Sequence, residues 1–172
     1  MRELKIYDEA AAKFYSKGAT QKMMPLLSWN FHMENYSNMI SFKDDLMALK
    51  ELGKNWNLNA DFLKELTVEK SVIVVTSPKL EIVYATHNIQ QMNGYTPDEV
   101  VGKSPKMFQG EDTCPIISRK IRKAVMDELP FEEVLLNYRK DDSVYNCKIK
   151  GMPVYNKKGV LVNYIAFEQI AA

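Results

Sequence analysis

The sequence predicts an α+β fold: a five-stranded antiparallel sheet with short helices over one face, preceded by an N-terminal helical segment. Two β-branched runs, Ser71–Thr76 and Leu80–Ala85, flank the turn signal Ser77-Pro78 and read as a hairpin. Three longer runs end the chain, Phe131–Lys140, Ser143–Tyr155 and Val160–Gln169, joined by the turns Asp141-Asp142 and Asn156-Lys-Lys-Gly159. Between the two sets lie several short helix signals and one longer one. Strands, helices and then strands again argue an antiparallel sheet with the helices closing over one face, leaving a natural pocket between the layers.

The helix signals are local. Thr86 to Gly94 reads as a short helix stopped by glycine. Thr96-Pro-Asp-Glu99 is a capping box with proline at the first helical position, and Gly102 ends that turn. Thr113 opens the longer helix with Pro115 in its first turn, and Ile117, Ile121, Val125 and Leu129 form its apolar side before Pro130. On the strand Ser143–Tyr155, Tyr145, Cys147, Ile149 and Gly151 share the inward face, opposite Asn146, Lys148 and Lys150. Gly151 is expected to leave room in a pocket there.

The first 70 residues read as a helical extension, 1–70, before a second domain at 71–170. Lys5 to Tyr15 is Ala-rich with Ile6, Ala10 and Phe14 near helical spacing, and Pro25 interrupts the stretch beyond it. Ser41 is expected to cap a helix carrying Phe42, Leu46, Leu49 and Leu52, with Gly53 past its end. Asn59 is expected to cap a last short helix, with Leu58 and Leu63 as a staple across the cap. Trp29, Phe31, Met33, Tyr36, Met39 and Trp56 add apolar surface that needs something to pack on. Met23, Met24 and Met47 belong to the same segment and read as core filler or an adaptable surface.

Composition excludes several classes. The chain carries 23 basic and 22 acidic side chains, so it lacks the positive field that binding to nucleic acid or a membrane surface requires. Its longest apolar runs fall far below the ~20 residues that span a bilayer. Met1-Arg-Glu-Leu-Lys5 continues into Asp8 and Glu9, unlike a signal peptide. Two cysteines, Cys114 and Cys147, make neither a disulfide framework nor a metal cage, which fits a cytoplasmic protein.

No Ser/His/Asp constellation, glycine-rich phosphate loop or metal spacing is present, so an enzyme is not expected. The acidic pairs Glu132-Glu133 and Asp141-Asp142 do not converge: strand neighbours point to opposite faces, and the second pair sits in a turn. Arg119, Lys120, Arg122 and Lys123 read as a solvated helix face.

Asn93-Gly-Tyr-Thr-Pro-Asp-Glu-Val-Val-Gly-Lys-Ser-Pro-Lys-Met-Phe-Gln109 resembles the central signature of PAS domains. Asn137-Tyr-Arg-Lys-Asp-Asp-Ser-Val-Tyr145 and Pro153-Val-Tyr-Asn-Lys-Lys-Gly159 resemble the second half of that family, in the right order. The resemblance implies the PAS fold from about Ser71 to Ile170 and a sensing or docking module for signal transduction. The preceding helices and the end at Ala172 resemble small stand-alone PAS proteins, which implies action through a homodimer or another protein partner.

By motif the segment is also similar to light-oxygen-voltage (LOV) photoreceptors, which bind flavin. Their Gly-x-Asn-Cys-Arg-Phe-Leu-Gln stands here as Gly102-Lys-Ser-Pro-Lys-Met-Phe-Gln109, so Pro105 occupies the photoreactive cysteine's place and adduct chemistry there is excluded. Gln109, Arg122 and Asn137 match flavin-contacting positions of that family. Lys106 replaces an arginine, Cys147 an asparagine and Glu168 a glutamine; an ionised Glu168 would offer the ring no donor.

If a ligand is held, Cys147 and Ile149 share the strand face that would touch it. The expected function is therefore a non-enzymatic sensor acting through protein contacts, with an FMN-type photo- or redox sensor lacking adduct chemistry as the alternative. A small-metabolite sensor with a mostly apolar pocket is a third reading. Haem would need a histidine on the long helix, and Thr113–Leu129 has none; His32 and His87 read as surface or helix-start residues.

Overall fold

A computed structural model of the chain describes residues 41–171. The expectations for Lys5–Tyr15, Pro25, His32, Met23, Met24 and the stretch from Trp29 to Met39 lie outside the described residues. Residues 41–52 form helix α1, which tightens into a 3-10 turn over Gly53–Asn55. There follow α2 (Phe62–Thr67), β1 (Val72–Thr76), β2 (Ile82–Ala85), α3 (Ile89–Asn93), α4 (Pro97–Val100), a 3-10 turn (Pro105–Phe108) and α5 (Pro115–Met126). Strands β3 (Phe131–Tyr138), β4 (Val144–Tyr155) and β5 (Leu161–Ile170) complete the fold. The five strands form one antiparallel sheet in the order β2-β1-β5-β4-β3.

This order puts β5 at the centre with β1 and β4 beside it, and explains the uninterrupted Val-Ile-Val-Val-Thr of the interior strand β1, buried at all five positions. Val72 and Val74 join the core under the helices α3 and α4, with Ile82, Ile89, Met92, Val100, Phe108, Tyr145 and Cys147. Ile73 and Val75 point to the opposite face, where Leu49, Trp56, Leu66, Val154, Ile165 and Phe167 form a second core. Helices α1 and α2 thus cover the outer face of the sheet. Among the described residues no helix is long and apolar enough to cross a membrane.

Pro153 lies in β4 without breaking it. Strand β3 begins at Phe131, paired with Gly151, so at Pro153 β4 has a strand partner only on its β5 side, where it pairs with Tyr164. Gly94 caps α3 at φ 82°, in the left-handed region where glycine is free of side-chain strain, and the capping box between Thr96 and Glu99 starts α4.

Four local expectations are corrected. Ser41 is already helical rather than a cap. Asp61, not Asn59, caps α2 by accepting from the Lys64 N–H at 3.1 Å, and Leu63 is exposed, so no staple forms with Leu58. Cys114 rather than Thr113 precedes α5, because the Thr113 hydroxyl accepts from the Gly110 N–H and donates to the Leu136 carbonyl. Gly151 lines the cavity, but the room left by its missing side chain is taken by the Phe131 ring, which a Cβ there would meet.

The outer layer is tied down by Asp45, fully buried on α1. Its carboxylate accepts from the Tyr84 hydroxyl at 2.6 Å and the His87 N–H at 3.0 Å, and lies 2.7 Å from His87 Nδ1. His87 is exposed at the start of α3, as expected, and adds this contact to the buried Asp45. Trp56 adds a second tie, donating from Nε1 to Asn163 Oδ1 at 3.1 Å, while the Asn57 N–H reaches the Tyr155 carbonyl at 2.7 Å.

This packing sets two stability outcomes. Asp45→Ala leaves the Tyr84 and His87 donors without their acceptor and should cost about 2 to 4 kcal/mol in denaturant unfolding; a variant as stable as the parent would show that α1 is not anchored there. Gly151→Ala should cost about 1 to 3 kcal/mol by driving Phe131 out of place, and an unchanged unfolding midpoint would contradict that contact.

Candidate functional site

Between the inner face of the sheet and α5 lies a cavity of about 630 Å³, within the range of small-molecule sites. The sheet supplies its inner wall: Val74 and Thr76 from β1, Leu135 and Asn137 from β3, Ile149 and Gly151 from β4, and Ala166 and Glu168 from β5. Phe131 closes one side, and Phe108, Gln109 and Gly110 come from the connection before α5. Alternation puts these strand residues on one face, and the register places Glu168 opposite Ile149 and Asn137 opposite Tyr145.

Helix α5 forms the roof. Pro115, Ser118, Arg119, Ile121, Arg122 and Val125 recur at helical spacing along the side that faces the cavity. No residue of this twelve-residue helix is fully buried, despite its apolar stripe, because the layer beneath it is open space. The roof is pinned at its ends and flank: Tyr164 donates to the Val125 carbonyl at 2.8 Å, Ser118 donates to Gln109 Oε1 at 3.1 Å, and Lys120 pairs with Glu133.

The polar groups separate into two zones. Lys79, Lys106, Arg119 and Arg122 are exposed and lie at the mouth. Thr76, Asn137 and Glu168 are buried, and the register spreads them along the sheet, Thr76 level with Tyr164, Glu168 level with Ile149 and Asn137 level with Tyr145. Asn137 is 3% exposed, and its Oδ1 has no hydrogen-bond partner; neither has the buried Thr76 Oγ1. Buried polar atoms left open beside a cavity are acceptors and donors that a bound molecule can satisfy.

Glu168 is also buried, and burial pushes its carboxyl pKa up to about 7 against the smaller pull of the Cys147 thiol. Burial first, and then Glu168, push the Cys147 thiol well above its ordinary value, so it stays protonated and inert.

Six residues singled out in the sequence, Lys106, Gln109, Arg122, Asn137, Ile149 and Glu168, line this cavity together. Cys147 does not: it is fully buried in the core beneath, 3.7 Å from Glu168 Oε2. Sequence reasoning missed Arg119, Ser118 and Thr76. The signal for the first two is their helical spacing to Arg122 and Pro115, a pattern that a solvated face produces equally well. The acidic pairs are accounted for locally, since Asp141 accepts from Ser143 in its turn and Glu132 pairs with Lys148 at 2.7 Å.

Residues 70–169 match the PAS domain family. Phototropin-2 of Oryza sativa subsp. japonica is 34% identical over 108 residues, covering 63% of this chain and 12% of that protein. The bacterioopsin transcriptional activator of Halobacterium salinarum is 28% identical over 111 residues, 64% of this chain and 16% of its own length. A blue-light-activated histidine kinase of Brucella canis is 30% identical over 97 residues, 55% of this chain and 20% of the kinase. The chain therefore spans a fifth or less of these relatives.

Among solved structures, a light-oxygen-voltage domain studied with a flavin analogue superposes with a TM-score of 0.60 at 28% identity, covering 66% of this chain and 87% of that one. The light-state LOV domain of Aureochrome1 gives 0.58 at 28% identity, covering 65% and 90%. The sheet order, the roofed cavity and the family match agree: this chain belongs to the PAS domain family and carries a LOV-like sensory module of signal transduction.

Proposed function

We propose that this protein is a ligand-holding PAS sensor whose cavity takes a flavin of the FMN type and signals without a thiol adduct. One observation carries the reading: a cavity of about 630 Å³ is lined by buried polar atoms left open, Asn137 Oδ1 and, towards the other end of the sheet, Thr76 Oγ1, together with exposed cationic side chains. A planar ring with a mixed donor and acceptor edge suits Asn137, whose amide offers both functions. A phosphate tail suits Lys106, Arg119 and Arg122. The residues thus fit the group that the LOV relatives suggest. Flavin would supply light absorption and electron-accepting chemistry.

The chain's own part is to hold and orient. Pro105 lines the cavity where a nucleophilic thiol would be needed, and it has none to offer. Cys147 is sealed in the core with its thiol protonated. Signalling on this reading depends on hydrogen bonding and packing along the strands. Its output is protein contact: Val134 and Val144, 44% and 47% exposed, share the outer sheet face with Leu136 and Asn146 outside the ladder's buried side. The same surface favours a homodimer or another protein partner.

The module itself carries no reaction on this reading, and residues 71–170 act as the sensor with 1–70 as an accessory segment.

Purified protein should bind FMN, show the flavin absorption band and release FMN on denaturation. Illumination should leave no long-lived loss of that band of the kind a cysteinyl adduct causes. Asn137→Leu should weaken FMN binding roughly tenfold or more, the worth of one buried hydrogen bond. Protein that stays colourless when supplied with excess FMN would sink this reading. Light scattering should report association that a Val134→Asp, Val144→Asp double variant reduces; a strict monomer at high concentration would remove the homodimer.

A further inference from the structure

Glu168 is the one carboxyl among the described residues that lines the cavity. It is 5% exposed, and its strand partners Val72 and Ile149 are apolar. Its side-chain partner is the weak Cys147 thiol, 3.7 Å from Oε2.

The groups that face it offer no countercharge. From β4, Cys147 and Tyr145 are both pushed upward, by burial above all, and stay neutral. Across the cavity, Lys79, Lys106, Arg119 and Arg122 sit exposed at the mouth, and none pairs with the carboxyl. An ionised carboxylate in such a place is stripped of water without compensation.

We propose that Glu168 presents a protonated carboxyl to the cavity, donates its hydrogen bond to an acceptor atom of the bound ligand, and loosens that ligand when it ionises at alkaline pH. The ligand's identity in this proposal rests on the flavin reading above. A glutamine amide donates at every pH, whereas a carboxyl donates only while it holds its proton. The position therefore determines specificity, selecting ligands with an acceptor at that edge, and it ties their capture to pH.

Linkage sets the sign. Below the folded pKa of the acid the donor is present and affinity is flat. Above it, binding must first take up a proton, so affinity falls by up to about tenfold per pH unit. The FMN phosphate titrates near pH ~6 as well, so the informative quantity is the difference between two proteins that meet the same ligand.

The experiment titrates FMN into the full chain and into Glu168→Gln between about pH 5.5 and about pH 8.5, spanning the range of a raised carboxyl. In parallel, isotope-edited infrared spectroscopy follows the carbonyl stretch of a protonated carboxyl. Wild-type affinity should drop by roughly tenfold or more relative to Glu168→Gln across that range. The infrared band should be present at the acid end, titrate away in the wild type and be missing in the variant. Parallel affinity profiles, or no such band at the acid end, would overturn the proposal. A titrating band with no FMN binding at any pH would leave the protonated donor standing and defeat the flavin reading. The wild-type band is read without the variant, so a poorly folded Glu168→Gln does not blur the outcome.

Discussion

Helix α5 has an apolar stripe but no fully buried residue, and the reason is that it spans a gap instead of resting on the sheet. The gap survives because the helix is held from its ends and flank: Tyr164 ties its last turn, Ser118 holds Gln109, and Thr113 binds the chain just before it to β3. Close packing is the default state of a protein interior, so a cavity of this size is a place where a bound molecule gains dispersion contacts. A ligand filling it would recover those contacts. The open layer is thus the constraint that produces both the weak burial of α5 and the readiness to bind.

The opposite face of the sheet is closed in a different way. A central strand such as β1 that is apolar on both sides needs cover on both sides, and α1 and α2 supply it through Leu49, Trp56 and Leu66. The buried Asp45 adds direction to this otherwise non-specific contact. Its two oxygens require the Tyr84 hydroxyl and the His87 backbone together, which fixes both the rotation and the position of α1 on the β2 end of the sheet. Burial also pushes the Tyr84 hydroxyl upward, followed by the influence of Asp45 itself, so this donor keeps its proton over the whole physiological range.

The features legible in the sequence are the local ones. Strand alternation on β4 puts Tyr145, Cys147 and Gly151 inside and Lys148 and Lys150 outside, as the structure has them. The capping box at Thr96 and the glycine stop at Gly94 are equally local, since each involves residues within one turn. Reading fails where two local chemistries compete or where contact is distant. Asn59 and Asp61 are both good caps, and the chain starts its helix after Asp61, whose carboxylate accepts from the Lys64 N–H. Thr113 is drawn away from its capping role by a carbonyl 23 residues on. The Asp45–His87 pairing spans 42 residues, and no periodicity encodes it. Cys147 faces inward as alternation requires, but whether an inward residue meets a core or a cavity depends on what α5 leaves uncovered.

Strand β5 joins these two halves of the molecule. Ala166 and Glu168 face the cavity, while Ile165 and Phe167 belong to the core beneath α1 and α2. Adjacent residues of a strand cannot move independently by more than the backbone's few soft dihedrals allow. On the proposed reading, a shift at Glu168 on ligand capture or loss of its proton would be felt one residue away, at Phe167. Because β5 also pairs with β1 and β4, the shift is shared with the strands that complete the outer core. Covalent alternation in a single strand is the shortest connection between the cavity and the helical layer. On the proposed reading it needs no thiol adduct to carry it: a change in hydrogen bonding at Glu168 would act on the same backbone that seats α1 and α2.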